Sequence, residues 1–185
     1  ILSPDAYVTD RFHFLQNERK IRMEEMEKYR LQPCRRKDGT KVEIGLNIEN
    51  ADFENTEGLF DFVGLVRTEF LYMGSNKLPS EEKQFEIYRE IVERAASRPV
   101  TFRTLDVGGD KILPYFKSQQ MTETMETVRG VRFCFSQEEL FFAQLRAILR
   151  ASAYGSAQVM FPMVESIEDI SVAREYLEKN SFASP

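Results

Sequence analysis

Four arginines stand where predicted strands end or where the next helix begins. Arg67 closes the apolar run FVGLV, Arg103 closes PVTF, and Arg129 and Arg132 precede a helical segment. In a parallel α/β sheet the ligand binds at the carboxyl ends of the strands, so these side chains are expected to face one cleft. A planar guanidinium group binds phosphate or carboxylate through two hydrogen bonds and keeps its charge at physiological pH. The pattern therefore predicts a site for a ligand that carries both groups.

A purely structural role is the alternative for the same residues. An arginine at a strand end is commonly the ion-pair partner of a neighbouring carboxylate, here Glu69 or Asp106. Glu69, Asp106 and Asp110 also offer oxygen ligands to a metal, but their spacing is not characteristic of a known site. The single histidine, His13, lies in the helical context RFHFLQNER and is interpreted as a partly exposed helix residue.

A long helix is predicted at the start of the chain. Residues 5–31 contain neither Gly nor Pro, and Phe12, Leu15, Met23 and Met26 recur at rough helical spacing. Pro33 follows directly and ends the helical pattern.

Four apolar runs then predict strands, each followed by a helical segment. The strands are VEIGLNIE, FVGLV, the start of PVTFRTLD, and AQVMFPMV. We expect Ser80 to cap the second of these helices. A capping box of Ser136 and Glu139 should open the third, and Ser166 with Asp169 the last.

This alternation predicts a parallel sheet covered by helices. Four strand–helix units are either a complete small doubly wound sheet or half of an eightfold barrel. No GxGxxG turn and no Walker loop follows any predicted strand. Nucleotide binding by those routes is therefore not expected.

Composition excludes several functional classes. The net charge of −5 argues against nucleic-acid binding, which normally needs a basic surface. No apolar run approaches the ~20 residues that cross a bilayer, and ILSPDAYVTDRF lacks the layout of a signal peptide. Cys34 and Cys134 are isolated, as expected of reduced thiols. We therefore expect a cytoplasmic protein without membrane insertion.

Four stretches carry a resemblance to a known family: GLVRTEFLYM, LPSEEKQFEIYREI, RPVTFRTLDVGGDKILPYF and QLRAILRASAYGSAQVMFPMVESIEDI. From about Gln32 onward the chain resembles Enzyme I, the phosphoenolpyruvate-protein phosphotransferase of the bacterial sugar phosphotransferase system. The resemblance implies an α/β fold in which residues 33–185 form about the first four units of a (β/α)8 TIM barrel. That barrel binds phosphoenolpyruvate (PEP), and residues 1–32 resemble the linker helix that precedes it.

The resemblance also implies an activity. In the family, with magnesium, the phosphoryl group of PEP passes to a histidine of the amino-terminal region and then to the phosphocarrier HPr. Arg67 and Arg103 match the arginines that hold the substrate phosphate, and Arg129 stands where another active-site arginine is found. Their task would be to neutralise the transferring phosphoryl group and fix its direction. The family dimerises through this domain, so a homodimer is expected.

The chain departs from the family pattern in two ways. The usual NPxLGxR is replaced by ETMETVR, which leaves the role of Arg129 open. The VETP glutamate and GTND aspartate that bind Mg²⁺, the CGE cysteine that donates a proton, and the phosphorylated histidine have no counterparts here. His13, Cys34 and Cys134 do not match those residues. We therefore expect no catalytic residue and no metal ligand in this segment, and no activity from it alone, with Mg²⁺ and an HPr-like carrier bound by other parts of the parent protein.

Two rival functions stay open at this point. One is a fragment of a PEP synthase or pyruvate phosphate dikinase, which has related arginines but a nucleotide-dependent partner domain. The other is a degenerate barrel kept for regulation, which the loss of NPxLG allows. RTEFLYM favours Enzyme I over the first, and the presence of Arg67 and Arg103 weighs against the second.

Overall fold

The computed structural model describes residues 3–53, 59–73, 77–108 and 128–181. The chain divides into two compact units, Ile1–Glu43 and Ile44–Pro185. The first unit contains α1 (Ala6–Glu27), and Asp5 is its N-cap. The Asp5 side chain accepts a hydrogen bond from the Val8 N–H at 2.8 Å. The predicted helix is therefore confirmed, but it ends earlier than expected because turns occupy residues 28–31. No helix within the described ranges is long and apolar enough to span a bilayer.

The second unit contains the sheet and the remaining helices. Its elements in chain order are β1 (Gly45–Ile48), β2 (Phe62–Arg67), α2 (Phe70–Met73), α3 (Glu81–Arg94), β3 (Val100–Arg103), α4 (Val131–Ser136), α5 (Glu138–Ala151), a 3-10 turn (Ser152–Tyr154), β4 (Ala157–Met160) and α6 (Ile167–Ser181). All four predicted strands are present, although β1 and β4 are shorter than their apolar runs and β2 extends through Arg67. The short helices α2 and α4 were not predicted, because helices of four and six residues leave almost no periodic signal.

The four strands form one parallel sheet in the order β1-β2-β3-β4. Helix α3 packs on α5, and α5 packs on α6. The predicted α/β class with a parallel sheet is thus confirmed. A doubly wound sheet reverses its strand order at a switch point. The described strands show no such reversal, so their order is compatible with part of a barrel.

Alternation along the strands separates the core from the face that carries Arg103. In β3, Val100 and Phe102 are fully buried, whereas Thr101 and Arg103 alternate with them and are only partly buried. Phe102 packs on Tyr88 of α3, with ring centroids 4.9 Å apart. Because successive side chains of a strand point to opposite faces, burial of Phe102 against α3 directs Arg103 away from the helix-covered core.

The helix ends confirm one predicted cap and correct another. Ser80 caps α3, since its Oγ accepts a hydrogen bond from the Lys83 N–H at 3.2 Å. The capping box of Ser136 and Glu139 is wrong. Ser136 is the last residue of α4 and its Oγ donates to the Phe133 carbonyl at 2.7 Å. Helix α5 begins after Gln137 without a side-chain cap, because the preceding short helix already uses that hydroxyl group.

Asp169 ties the start of α6 to α4. Its Oδ1 accepts a hydrogen bond from Arg132 Nε at 2.9 Å. Its Oδ2 accepts the backbone N–H groups of Glu165 at 2.9 Å and Ser166 at 3.0 Å. Ser166 Oγ accepts the Asp169 N–H at 3.2 Å, which confirms the predicted opening of this helix. These hydrogen bonds lower the pKa of Asp169 from 3.8 to about 2. The bond from Arg132 has the largest effect, and the bonds from the backbone N–H groups add to it.

We expect Asp169 to make the fold acid-sensitive in a defined window. Its pKa is lower in the folded than in the unfolded state, so its contribution to the free energy of unfolding is complete above about pH 4 and is lost as the pH falls towards 2. Asp169→Asn should therefore lose less stability than the wild type across that window in urea titrations. Glu175→Gln, which removes an exposed carboxylate of α6, is the control. Parallel losses in wild type and Asp169→Asn would contradict the prediction.

Candidate functional site

Arg67 and Arg103 lie side by side at the carboxyl ends of β2 and β3. They form the last register pair between these strands, so both side chains leave the sheet on the same face. Arg67 Nε donates to Glu69 Oε1 at 3.2 Å, and Arg103 Nη2 donates to the same oxygen atom. Only 9% of the Glu69 side chain is exposed. One buried carboxylate therefore holds both guanidinium groups.

Two further contacts orient Arg67. Its Nη1 donates to Glu49 Oε1 at 3.1 Å, and its guanidinium carbon lies 4.6 Å from the centre of the Phe70 ring. An aromatic face attracts a cation at this distance. The Arg67 side chain is 38% exposed and that of Arg103 is 16% exposed. Arg67 therefore presents its charge to solvent, whereas Arg103 lies deeper.

A second carboxylate, Asp106, extends the arrangement to the third predicted arginine. Its Oδ2 lies 3.4 Å from Arg103 Nη1, and its Oδ1 accepts from Arg129 Nε at 3.1 Å. The resulting arginine row consists of Arg67, Glu69, Arg103, Asp106 and Arg129. Within the described part of the chain, Arg103 Nε and Glu69 Oε2 are buried and have no hydrogen-bond partner. The predicted pairing with Glu69 and Asp106 is therefore observed, and the three arginines share one end of the sheet.

Two glycines set the backbone position of Arg129. Gly108 forms an antiparallel bridge with Arg129, and the Gly130 N–H donates to the Val107 carbonyl at 3.0 Å. The φ angles of Gly108 and Gly130 are 110° and 62°, in the region that favours glycine. A Cβ atom at Gly108 would lie 2.1 Å from the Val128 carbonyl oxygen. The close approach that brings Arg129 to Asp106 therefore requires glycine at this position.

Gly108→Ala is expected to separate the backbone at Gly108 from the backbone at Val128 and Arg129. The left-handed backbone alone costs a non-glycine residue about 1–3 kcal/mol, and the contact with the Val128 carbonyl adds to that cost. We expect a clear fall in the thermal midpoint of the 44–185 unit in calorimetry. Gly39→Ala is the matched control, because Gly39 also has a positive φ angle of 88° but no atom within 4 Å of an added Cβ. Equal effects of the two substitutions on that midpoint would contradict the prediction.

The structure places Arg132 apart from the arginine row. It lies on α4, donates to Glu165 Oε2 and binds Asp169 of α6. The bond to Asp169, above all, raises the pKa of Arg132. The expectation that all four arginines face one cleft is therefore wrong for Arg132, because the unpredicted helix α4 turns its side chain towards α6.

Comparison with known proteins identifies the family. Residues 23–183 match the family described as PEP-utilising enzyme, PEP-binding domain. The chain belongs to this family. Proteins named phosphoenolpyruvate-protein phosphotransferase from Listeria innocua and Bacillus subtilis are 39% and 38% identical to it over 181 residues, which is 96% of the chain. A protein of the same name from Priestia megaterium is 42% identical over 144 residues, or 76% of the chain.

The chain spans about a third of these relatives. The matched region covers 31% of the Listeria and Bacillus proteins and 25% of the Priestia protein. The arginine row lies inside the segment that matches the PEP-binding domain family. This family assignment agrees with the resemblance found in the sequence motifs.

The carboxylates of this PEP-binding domain do not fit a magnesium site. Mg²⁺ requires near-octahedral oxygen ligands, whereas Glu69 and Asp106 both bind guanidinium groups that a cation would have to displace. No group of three or more His, Cys, Asp or Glu side chains suited to a metal occurs among the described residues. Asp110, the third carboxylate considered, lies outside them. No reaction step is therefore assigned to a metal held by this segment.

The remaining candidate groups of the PEP-binding domain lie elsewhere. His13 is exposed on α1, where its ring meets the ring of Phe12 edge-on at 5.9 Å. Cys34 is exposed and Cys134 is buried, and both are free thiols. Burial raises the pKa of Cys134, so that thiol stays protonated. Most of ETMETVR falls on residues outside the described ranges, which include only its last two positions.

Sequence reasoning missed two residues that contact Arg67. Glu49 directly follows β1, so the strand-end rule applied to the first strand would have found it. Phe70 stands three positions after Arg67 in RTEF, but nothing in that motif indicates that the ring lies under the guanidinium group. These contacts belong to the family's PEP-binding domain at the place where the strand ends meet.

Proposed function

We propose that the chain is the PEP-binding portion of a PEP-dependent protein-histidine phosphotransferase. In this proposal Arg67 and Arg103 bind the phosphate of PEP, and Arg129 is a further PEP-binding residue. The parent protein transfers the phosphoryl group to one of its own histidines and then to an HPr-like carrier. The names of the relatives and the family of the matched domain support this assignment.

The observation that carries the proposal is the shared oxygen atom of Glu69. Two guanidinium groups that bind one carboxylate oxygen stand close enough to bind one phosphate. Each guanidinium group has five N–H donors, and the described contacts of Arg67 and Arg103 use two nitrogen atoms of each. Donors therefore remain for an anionic ligand, and Glu69 fixes the separation of the pair before the ligand arrives.

The arginines supply what phosphoryl transfer needs from the protein. The transferring group carries its charge on three peripheral oxygens, so catalysis depends on positioning and electrostatic stabilisation. Guanidinium groups fixed by buried carboxylates need little reorganisation when that charge redistributes. Mg²⁺, when bound by other parts of the parent protein, would supply further positive charge at the phosphate. No residue of this segment is assigned as the phosphoryl acceptor or proton donor, and the segment alone is proposed to be inactive.

The architecture forms part of the same proposal. We infer that residues 33–185 contribute about the first four units of a (β/α)8 barrel and that residues 1–32 contribute a linker helix. The uninterrupted strand order supports the barrel over a doubly wound sheet. A homodimer in the cytoplasm, serving sugar transport, completes the proposal on the basis of the family resemblance.

Isothermal titration and phosphoryl transfer test this function. The full-length protein that contains the segment should bind PEP in the presence of Mg²⁺ and pass radiolabelled phosphate from PEP to an HPr-like carrier. Transfer to a nucleotide in place of the carrier would support the PEP synthase or dikinase alternative. Absence of PEP binding would support a regulatory barrel and overturn the enzymatic proposal.

A further inference from the structure

A buried glutamine lies beneath the two strand ends that carry the arginine row. Gln144 is fully buried on α5, on the same helical face as the buried residues Leu140 and Ile148. A polar side chain on an apolar face has to satisfy its hydrogen-bonding groups inside the protein. Its partners therefore indicate what the residue is for.

Gln144 contacts the ends of both β2 and β3. Its Oε1 accepts the backbone N–H of Leu105 at 2.9 Å, and its Nε2 donates to Thr68 Oγ1 at 3.0 Å and to the Tyr88 hydroxyl at 3.3 Å. The orientation of the amide is fixed, because the Leu105 N–H requires an acceptor. One side chain therefore uses both amide hydrogens and its carbonyl oxygen to join two strand ends to α3.

These contacts lie directly behind the arginines. Thr68 stands between Arg67 and Glu69 in the chain, and its Oγ1 donates to the Arg103 carbonyl at 2.7 Å. The strand register ends at the pair Arg67–Arg103. Beyond that pair, hydrogen bonds of the Thr68 and Gln144 side chains connect the two strand ends.

A second buried glutamine provides a natural comparison. Gln84 on α3 is 1% exposed, accepts the hydroxyl groups of Tyr72 at 2.9 Å and Tyr88 at 3.2 Å, and donates to the Pro79 carbonyl at 3.2 Å. Burial raises the pKa of both tyrosines, so they remain protonated donors. Gln84 thus belongs to the same buried network, but its described contacts do not reach either strand end.

We propose that Gln144 is a positioning residue for PEP, acting through Thr68 and Leu105 on the separation of Arg67 and Arg103. This inference rests on the proposed function. Loss of the amide would free the two strand ends to shift relative to each other. A misplacement of about 1 Å in a phosphoryl-transfer site can lower the rate by about 100-fold. If Gln144 only stabilises the fold, removal of its amide lowers stability and leaves PEP turnover unchanged. If Gln144 positions the arginines, removal of its amide also lowers PEP turnover.

Matched variants in the full-length protein separate these two effects. Gln144→Met and Gln84→Met each replace a buried amide by an apolar chain of similar length, so both should lower the thermal midpoint. Only Gln144→Met is expected to lower kcat for PEP-dependent phosphorylation of the carrier, by about 10- to 100-fold, with a much smaller change in KM. Assays run well below both thermal midpoints keep the variants folded.

Thr68→Val provides a second variant should Gln144→Met fail to fold. It removes the hydroxyl between Gln144 and the Arg103 carbonyl and is expected to lower kcat in the same direction. If the two residues act through one link, the double variant is no slower than Gln144→Met alone. Losses of kcat that simply multiply, or an equal loss in Gln84→Met, would overturn the inference.

A ligand-free readout distinguishes failure of this inference from failure of the proposed function. The Arg67 Nε–H, which donates to Glu69, is expected to shift its ¹⁵N resonance in Gln144→Met and not in Gln84→Met. If the wild type does not use PEP but the Arg67 resonance still shifts in Gln144→Met, the proposed function is refuted and the link from Gln144 to Arg67 is not. PEP turnover in the wild type with unshifted arginine signals in Gln144→Met would refute the link.

Discussion

Arg67→Ala in the full-length protein is expected to lower kcat/KM for PEP by about 1,000-fold, the scale on which a charge-stabilising arginine acts in phosphoryl transfer. The loss follows from removing one of two guanidinium groups that share Glu69 Oε1. Because the Arg67 side chain is 38% exposed, its removal should change the free energy of unfolding by only about 1 kcal/mol. Steady-state phosphorylation of the carrier measures the first quantity and urea titration the second.

Arg94→Ala is the matched control for this prediction. The Arg94 side chain is 39% exposed and pairs with Glu90 at 2.8 Å. Its exposure and its ion pair with a carboxylate therefore resemble those of Arg67. It lies at the end of α3 that leads into the amino end of β3, at the other end of the strand from Arg103. Arg94→Ala should keep kcat/KM within a factor of about two. A comparable loss in both variants would show that Arg67 does not contact the substrate.

Glu69→Ala is expected to lower the stability of the fold strongly. Removing one partner of a buried ion pair typically costs about 3–5 kcal/mol, because the remaining charge stays desolvated. Here the remaining charges are Arg103, which is 16% exposed, and the more exposed Arg67. We expect a loss of about 3 kcal/mol in urea titrations. PEP turnover should fall as well, since no shared carboxylate oxygen then joins the two guanidinium groups.

Glu49→Ala tests whether burial explains that loss. Glu49 also binds Arg67, but its side chain is 49% exposed, so the change should stay within about 0.5 kcal/mol. If Glu69→Ala is no more destabilising than Glu49→Ala, the buried carboxylate does not hold the arginines together. If it destabilises the fold but leaves PEP turnover unchanged, the arginine pair is structural, which was the alternative interpretation of these residues.

Motifs and periodicity alone predicted the elements of this fold well. Strand–helix alternation is visible in sequence because each buried face imposes its own repeat on apolar residues. Caps at Ser80 and Ser166 were predictable for the same local reason. The predicted capping box at Ser136 was wrong, because the Ser136 hydroxyl group donates to the Phe133 carbonyl within the short helix α4. A helix of only six residues is too short to leave a clear repeat in the sequence.

The placement of Arg67 and Arg103 at neighbouring strand ends was likewise available from sequence. It required only that parallel strands end at the same edge and that each strand be followed by its own helix. Which carboxylate binds which arginine was decided by tertiary structure. The pairing of Arg67 with Glu49 depends on β1 lying beside β2, and the departure of Arg132 from the row depends on the direction of α4.

By itself, the sequence determined the α/β class, the parallel sheet and the strand ends where charge is concentrated. These follow from local repeats and from the chirality of the chain. Only the tertiary structure decided that one buried oxygen of Glu69 joins two arginines and that Gln144 holds their strands from behind. The contacts of Arg103 with Glu69 and of Thr68 with Gln144 join residues 34 and 76 positions apart in the chain, and their function depends on shifts of about 1 Å. No spacing rule along a chain has that resolution, so these contacts had to be seen in three dimensions.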